Sequence, residues 1–192
     1  MKSFDEYVGG LIFALDGIDR DAFDVMVNEL KRAQAEDAFV YVCGNGGSAA
    51  TASHMINDIV KAPATATGCR PIRAVGLADC IPLMTALAND IDYAQVFAKQ
   101  LEVYGRAGDV LIAISGSGNS ANVLEAAKTA RAKGMVVIGM TGYQGGKLKD
   151  LVDIHVHVPC DCMAQVEDAH LIIEHAMVEI LKEALRDAPK PS

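Results

Sequence analysis

The chain has 192 residues, 51% hydrophobic and 22% charged, which is enough for one compact domain with a sizeable core. A formal charge of −8 without a basic stripe excludes a duplex-binding surface, and 5% aromatics with no tryptophan exclude a base-stacking platform, so no nucleic acid is expected. No apolar run approaches the ~18 residues of a membrane span, the start MKSFDEYVGG lacks a basic-then-apolar leader, and five cysteines in no framework spacing suit reduced thiols; the expectation is a cytoplasmic protein with no membrane contact.

Residues 4–35 read as two helices, one marked by Phe4, Val8, Leu11, Ile12 and Leu15, the other by Phe23, Val27 and Leu30, with Asp19 or Asp21 as the second cap. Helices placed before the first strand cannot lie inside a βαβ unit. They are a flank of the domain or a surface for another subunit, and residues 1–36 are expected to be a helical pair used in oligomerisation.

Ala38 to Cys43 is a short apolar strand that runs directly into Gly44, Asn45, Gly46, Gly47 and Ser48. Helical spacing follows from Ser48 to Val60, with Pro63 expected to close it and Lys61 to Arg70 expected to be a polar linker. A third strand is predicted over Pro71 to Leu77. Asp79 can cap a helix over Ile81 to Ala88 that ends in a turn at Asn89 and Asp90, and Tyr93 to Tyr104 reads as one more helix.

Asp109 to Val123 repeats the strand, glycine–serine loop, helix order. Val110 to Ile114 is apolar and rich in β-branched residues; Ser115, Gly116, Ser117, Gly118, Asn119 and Ser120 are small; helical spacing resumes at Val123, Leu124, Ala127 and Ala130. Such a loop presents backbone N–H groups at the positive end of a helix dipole, where an anion is stabilised. The serine hydroxyls add donors suited to phosphate, although turn geometry and N-capping alone also favour Gly and Ser. The pattern is neither GxGxxG nor Walker A.

Met135 to Met140 is the next strand and Thr141 to Gly146 a third glycine-rich turn. Val152 to Val158 alternates, with His155 and His157 expected on a solvated edge face. Ala164 to about Arg186 reads as one long helix, and Asp187 to Ser192 as a loose tail. Repeated β-then-α order means an α/β fold, a parallel sheet sandwiched by helices.

Two imidazole–carboxylate pairs stand out. His54 and Asp58 are four apart on one helix face; Glu167 and His175 are eight apart on the last helix, with His170 and Glu174 between them. Brought together, two imidazoles and two carboxylates suit a tetrahedral zinc site or an acid–base pair, whereas apart they are ordinary surface pairs. Cys160 and Cys162 form only a CxC, a weak metal or redox signal.

Taken together, GNGGSAATASH (Gly44 to His54), Asn89-Asp90, GDVLIAISGSGNSANV (Gly108 to Val123), MTGYQGGKL (Met140 to Leu148) and QVEDAHLIIEH (Gln165 to His175) resemble the sugar isomerase (SIS) superfamily, and within it the sedoheptulose 7-phosphate isomerases. The resemblance covers nearly the whole chain as a single SIS domain. It implies a three-layer sandwich with a five-stranded parallel sheet, an aldose–ketose isomerase of heptose biosynthesis, a zinc cofactor, and a homotetramer with active sites shared between subunits. It also implies phosphate on Ser115, Gly116, Ser117 and Ser120, and the sugar along Asn45, Gly46, Gly47, Ser48, Asn89, Asp90 and Glu167. His54, Asp58, Glu167 and His175 fall on the family's metal positions, with Asp58, Glu167 and His175 as the acid–base candidates.

Three residues depart from the family's pattern: Asp58 for Glu, Glu167 for Gln, and Gly116 for Thr. They leave open an isomerase or sensor for another phosphosugar. A non-catalytic SIS protein that binds the replication initiator is the rival from a different class.

Overall fold

The computed structural model describes residues 3–67 and 71–186. Among them, five parallel strands form one sheet in the order β2-β1-β3-β4-β5: β1 (Phe39–Cys43), β2 (Arg73–Gly76), β3 (Val110–Ser115), β4 (Val136–Thr141) and β5 (Ile154–His157). The helices are α1 (Phe4–Asp16), α2 (Arg20–Ala35), α3 (Gly47–Thr67), α4 (Ile81–Asp90), α5 (Ala98–Tyr104), α6 (Ala121–Ala132) and α7 (Met163–Arg186).

Alternation along the strands builds two cores. Val40, Val42, Val110, Ile112 and Ile114 pack beneath α1, α2, α3 and α7; Tyr41, Cys43, Leu111 and Ala113 face Phe97, Leu101, Val123 and Ala127 on the other side. Every residue of β3 is buried, as a central parallel strand covered on both faces requires. In this strand order the direction in which strands are added reverses between β1 and β3, and open α/β sheets bind ligands in the crevice at the carboxyl ends there. The loops carrying Asn45 and Ser117 leave those two strands.

α1 and α2 are a layer of the domain itself: Ala14, Met26, Val27 and Leu30 belong to the first core. Asp19 is the cap of α2, its carboxylate accepting from the amides of Asp21 and Ala22. The outer side of α1 leaves Phe4, Ile12 and Phe13 exposed.

Four local expectations are corrected. Pro63 does not close α3, which continues to Thr67 through a segment whose alanines are strong helix formers. Asp79 is not the cap of α4; its carboxylate accepts from Ser53 Oγ and lies against Gly76, leaving Cys80 at the cap position without a side-chain bond. The helix expected over Tyr93 to Tyr104 is a 3-10 turn (Tyr93–Gln95) followed by α5, and Asn89 and Asp90 are the last residues of α4 rather than a turn beyond it. His155 and His157 are half-buried, both bonded to the Thr141 hydroxyl, His155 Nε2 at 2.7 Å and His157 Nδ1 at 3.2 Å. The end of the Lys61 to Arg70 segment, residues 68–70, and the tail Asp187 to Ser192 lie outside the described residues.

Candidate active site

The two glycine loops are shaped by backbone conformation. Gly46 has φ +53 and Gly118 φ +66, and a Cβ on Gly118 would run into the Gly145 carbonyl. The turn after β4 braces the Ser115–Ser120 loop: the Gly142 amide donates to the Gly116 carbonyl at 2.8 Å, the Leu148 amide to the Gly118 carbonyl at 2.9 Å, and the Lys147 amide to Asn119 Oδ1 at 3.2 Å. Within the loop, Ser115 and Ser120 share a hydroxyl contact of 3.1 Å, and Ser117 Oγ accepts from the Asn119 amide at 3.2 Å. Ser120 is at the cap of α6 without using its side chain there, so its hydroxyl stays in the loop.

The first turn of α7 closes over both loops. A Cβ on Gly116 would meet Met163 and Val166, and one on Gly47 would meet the Glu167 carboxylate. Glu167 therefore stands at the start of α3, against the loop that follows β1. Asn89 and Asp90 are exposed, bonded to each other through Asn89 Nδ2 and Asp90 Oδ1 at 2.8 Å.

One to two turns further along the paired helices, the two His-containing faces meet. His54 Nε2 and His175 Nε2 are 3.3 Å apart with the rings edge-on; Asp58 Oδ2 is 3.6 Å from His54 Nε2 and 4.0 Å from His175 Nε2; Glu174 Oε2 is 3.4 Å from His175 Nε2. One ligand atom from each of these four residues lies within 4.8 Å of all the others. The structure thus brings together His54, Asp58 and His175 as expected, but the second carboxylate of the cluster is Glu174 and not Glu167. Seven residues, about 10.5 Å of helix rise, separate those two glutamates, so one α7 residue can face the loops while the other faces the histidines.

Glu174 is fully buried, and neither of its oxygens has a hydrogen-bond partner. Burial, then the charge of Asp58, pushes its carboxyl up to about 7, against a smaller opposing pull from Lys182. A buried carboxylate left without a donor is costly unless a cation or proton satisfies it. Sequence reasoning passed over Glu174 although a signal existed: it interrupts the buried stripe of Ile173, Met177, Val178 and Leu181, where an acid is out of place.

These distances fit a divalent metal. Zn–N bonds of about 2.0–2.1 Å in tetrahedral geometry correspond to ligand–ligand separations of about 3.3–3.4 Å. The 3.3 and 3.4 Å separations meet that spacing, and the 3.6 and 4.0 Å ones require small side-chain adjustments. The arrangement sets a braced glycine–serine loop and a histidine–carboxylate cluster together at the carboxyl edge of an α/β sheet.

The SIS domain family matches residues 9–142, and the chain belongs to that family. Among its relatives are the phosphoheptose isomerases of Mycobacterium tuberculosis, 43% identical over 77% of this chain and 74% of that protein, and of Rhodospirillum rubrum, 39% identical over 76% and 77%. The solved phosphoheptose isomerase of Neisseria gonorrhoeae superposes with a TM-score of 0.85 at 34% identity, covering 94% of this chain and 95% of that one. The five-stranded parallel sheet expected from the sequence is the architecture found.

Proposed function

We propose that this protein is an aldose–ketose isomerase that converts sedoheptulose 7-phosphate to D-glycero-D-manno-heptose 7-phosphate, a step toward heptose for surface glycans. The carrying observation is the convergence of His54, Asp58, Glu174 and His175 from two helices, in a chain 39–43% identical to phosphoheptose isomerases over most of its length. A family member emptied of its chemistry would have no reason to keep four ionisable side chains facing one point.

The phosphate is assigned to the loop Ser115, Gly116, Ser117 and Ser120 at the start of α6, where hydroxyls and backbone amides supply donors without a lysine. The sugar then lies along Asn45, Gly46, Gly47 and Ser48, with Asn89, Asp90 and Glu167 at its borders. Isomerisation removes a proton from the hydroxymethyl carbon beside the ketone and returns one to the neighbouring carbon through an enediol. Asp58, half-buried, and His175, exposed, carry those transfers through the atoms they do not offer to the cluster, the second carboxylate oxygen and Nδ1; Glu174 lies buried beside His175. Glu167, the third candidate from the sequence, acts at the Gly47 end of the sugar.

Zinc is the cofactor we assign to His54, Asp58, Glu174 and His175. When bound it would neutralise the buried carboxylate and, were one of the four ligands to give way to a substrate oxygen, polarise the carbonyl and stabilise the enediolate oxygens. The four described cysteines are free thiols and no helix of the described residues is long and apolar enough to cross a membrane, in keeping with our placing the reaction in the cytoplasm. The exposed Ile172 and Ile180 on α7, either side of His175, together with Phe4, Ile12 and Phe13 on α1, support a homotetramer in which a second subunit covers the active-site face.

The test is incubation of the purified protein with sedoheptulose 7-phosphate, with and without zinc, followed by NMR. Formation of the heptose aldose supports the assignment, and its absence under both conditions overturns it. Preferred turnover of five- or six-carbon ketose phosphates would change the substrate and leave the chemistry.

A further inference from the structure

Three segments that meet at the carboxyl edge of the sheet are tied at one side chain. Asn45, in the loop after β1, exchanges two hydrogen bonds with Asn122 in the first turn of α6: Asn122 Nδ2 donates to Asn45 Oδ1 and Asn45 Nδ2 donates to Asn122 Oδ1, both at 2.8 Å. Tyr93, in the 3-10 turn after α4, donates its hydroxyl to the same Asn45 Oδ1 at 2.8 Å. Asn122 is buried, 2% exposed, and its Oδ1 also accepts from the Val123 amide at 3.0 Å.

That last bond sets the orientation of the whole group. A backbone N–H can only donate, so the Asn122 atom facing it is the oxygen; its nitrogen then faces Asn45, and the ring of two amides fixes Asn45 the same way round. Both lone-pair sites of Asn45 Oδ1 are taken by Asn122 and Tyr93, and one of its two N–H groups is taken by Asn122. What remains on this half-exposed side chain is one N–H.

We infer that Asn122 and Tyr93 are positioning residues for the isomerase reaction proposed above, locking the Asn45 carboxamide so that it meets the sugar only as a hydrogen-bond donor to a hydroxyl or carbonyl oxygen. The inference rests on that reaction and adds two residues to its machinery. Neither bonds the Ser115–Ser120 hydroxyls, so the knot acts on the sugar end through Asn45. Fixing Asn45 places the sugar carbons relative to the acid–base side chains, and loss of that placement appears in turnover.

The experiment compares Asn45→Ala, Asn122→Ala, Tyr93→Phe and the double variant Asn122→Ala/Tyr93→Phe in sedoheptulose 7-phosphate turnover. Tyr93 is 55% exposed and loses only its hydroxyl, so this variant folds even if Asn122→Ala does not. The expected result is kcat about tenfold lower for Asn45→Ala and Asn122→Ala and about threefold lower for Tyr93→Phe, with KM changed by less than about threefold. Because both act through Asn45, the double variant is no slower than Asn122→Ala alone. Unchanged kcat in Tyr93→Phe, or losses that multiply in the double variant, would overturn the inference. Failure of the reaction itself shows differently, as no turnover by the wild-type protein. The side-chain amide NMR signals then decide: slowed exchange of the Asn45 and Asn122 amides in wild type, lost for Asn45 in Asn122→Ala and kept in Tyr93→Phe, supports the knot, and free exchange in wild type sinks it.

Discussion

His54 and His175 are 121 residues apart in the chain, yet their Nε2 atoms lie 3.3 Å from each other across the α3–α7 contact. Two imidazole nitrogens can approach this closely as a donor and an acceptor, or as two ligands of one cation. Asp58 and Glu174 beside them, the latter buried with no hydrogen bond to either oxygen, favour the cation.

The choice between the two α7 glutamates is testable. Glu174→Gln should weaken zinc binding at least about tenfold, because a charged donor is lost from the cluster, whereas Glu167→Gln should leave the zinc content unchanged. Elemental analysis and competitive chelator titration read both. Loss of zinc on Glu167→Gln alone would restore the ligand set expected from the sequence.

The serine loop predicts a binding defect. Ser117→Ala combined with Ser120→Ala removes two hydroxyls, each worth roughly 1.5–3 kcal/mol when bonded to a charged acceptor, and KM for sedoheptulose 7-phosphate should rise at least about tenfold. Steady-state kinetics checks it, with inorganic phosphate inhibition weakened in parallel.

Gly118→Ala should destabilise the domain by about 2 kcal/mol or more. Its φ of +66 is strained for any side chain, and the added methyl meets the Gly145 carbonyl across the bracing turn. Urea unfolding gives the stability change, and KM should rise with it because the same loop holds the phosphate.

His170 should sensitise the protein to acid. His170 is buried with Nδ1 unpartnered; burial pulls its pKa down to about 4, opposed by its Thr141 backbone bond and aided by the charge of His157. His155 and His157 are lowered as well, by burial first, then for His155 by His157 and Lys149, and for His157 by Lys149. The unfolded chain therefore takes up protons below pH 6.5 that the native state refuses. The share of stability that rests on His170 is fully present above that pH and falls as pH drops toward 4, by up to about 3 kcal/mol, while Glu174, held up near 7 without a metal, works in the opposite direction between about 7 and 4.5. Urea midpoints at pH 7.5, 6 and 5 compare wild type with His170→Asn, and on acidification wild type should lose more stability, or gain less, than the variant.

The strands, the two glycine loops and the α/β class could be read from the sequence, because buried parallel strands are short apolar runs and a strand-to-helix turn needs small residues, both properties of neighbouring residues along the chain. The same locality explains the errors: whether Pro63 ends a helix, or whether Asp79 caps one, depends on what α3 and Gly76 offer from elsewhere. His54, Asp58 and His175 were legible as residue types on helix faces, and the family pattern gave them a role. Only the tertiary structure could decide that α3 and α7 lie side by side, that Glu174 rather than Glu167 completes the cluster, and that Asn45 is held from two other segments. Helix spacing determines which residues share a face, while the partner of that face is set by packing across the sheet, and packing joins residues that no local pattern connects.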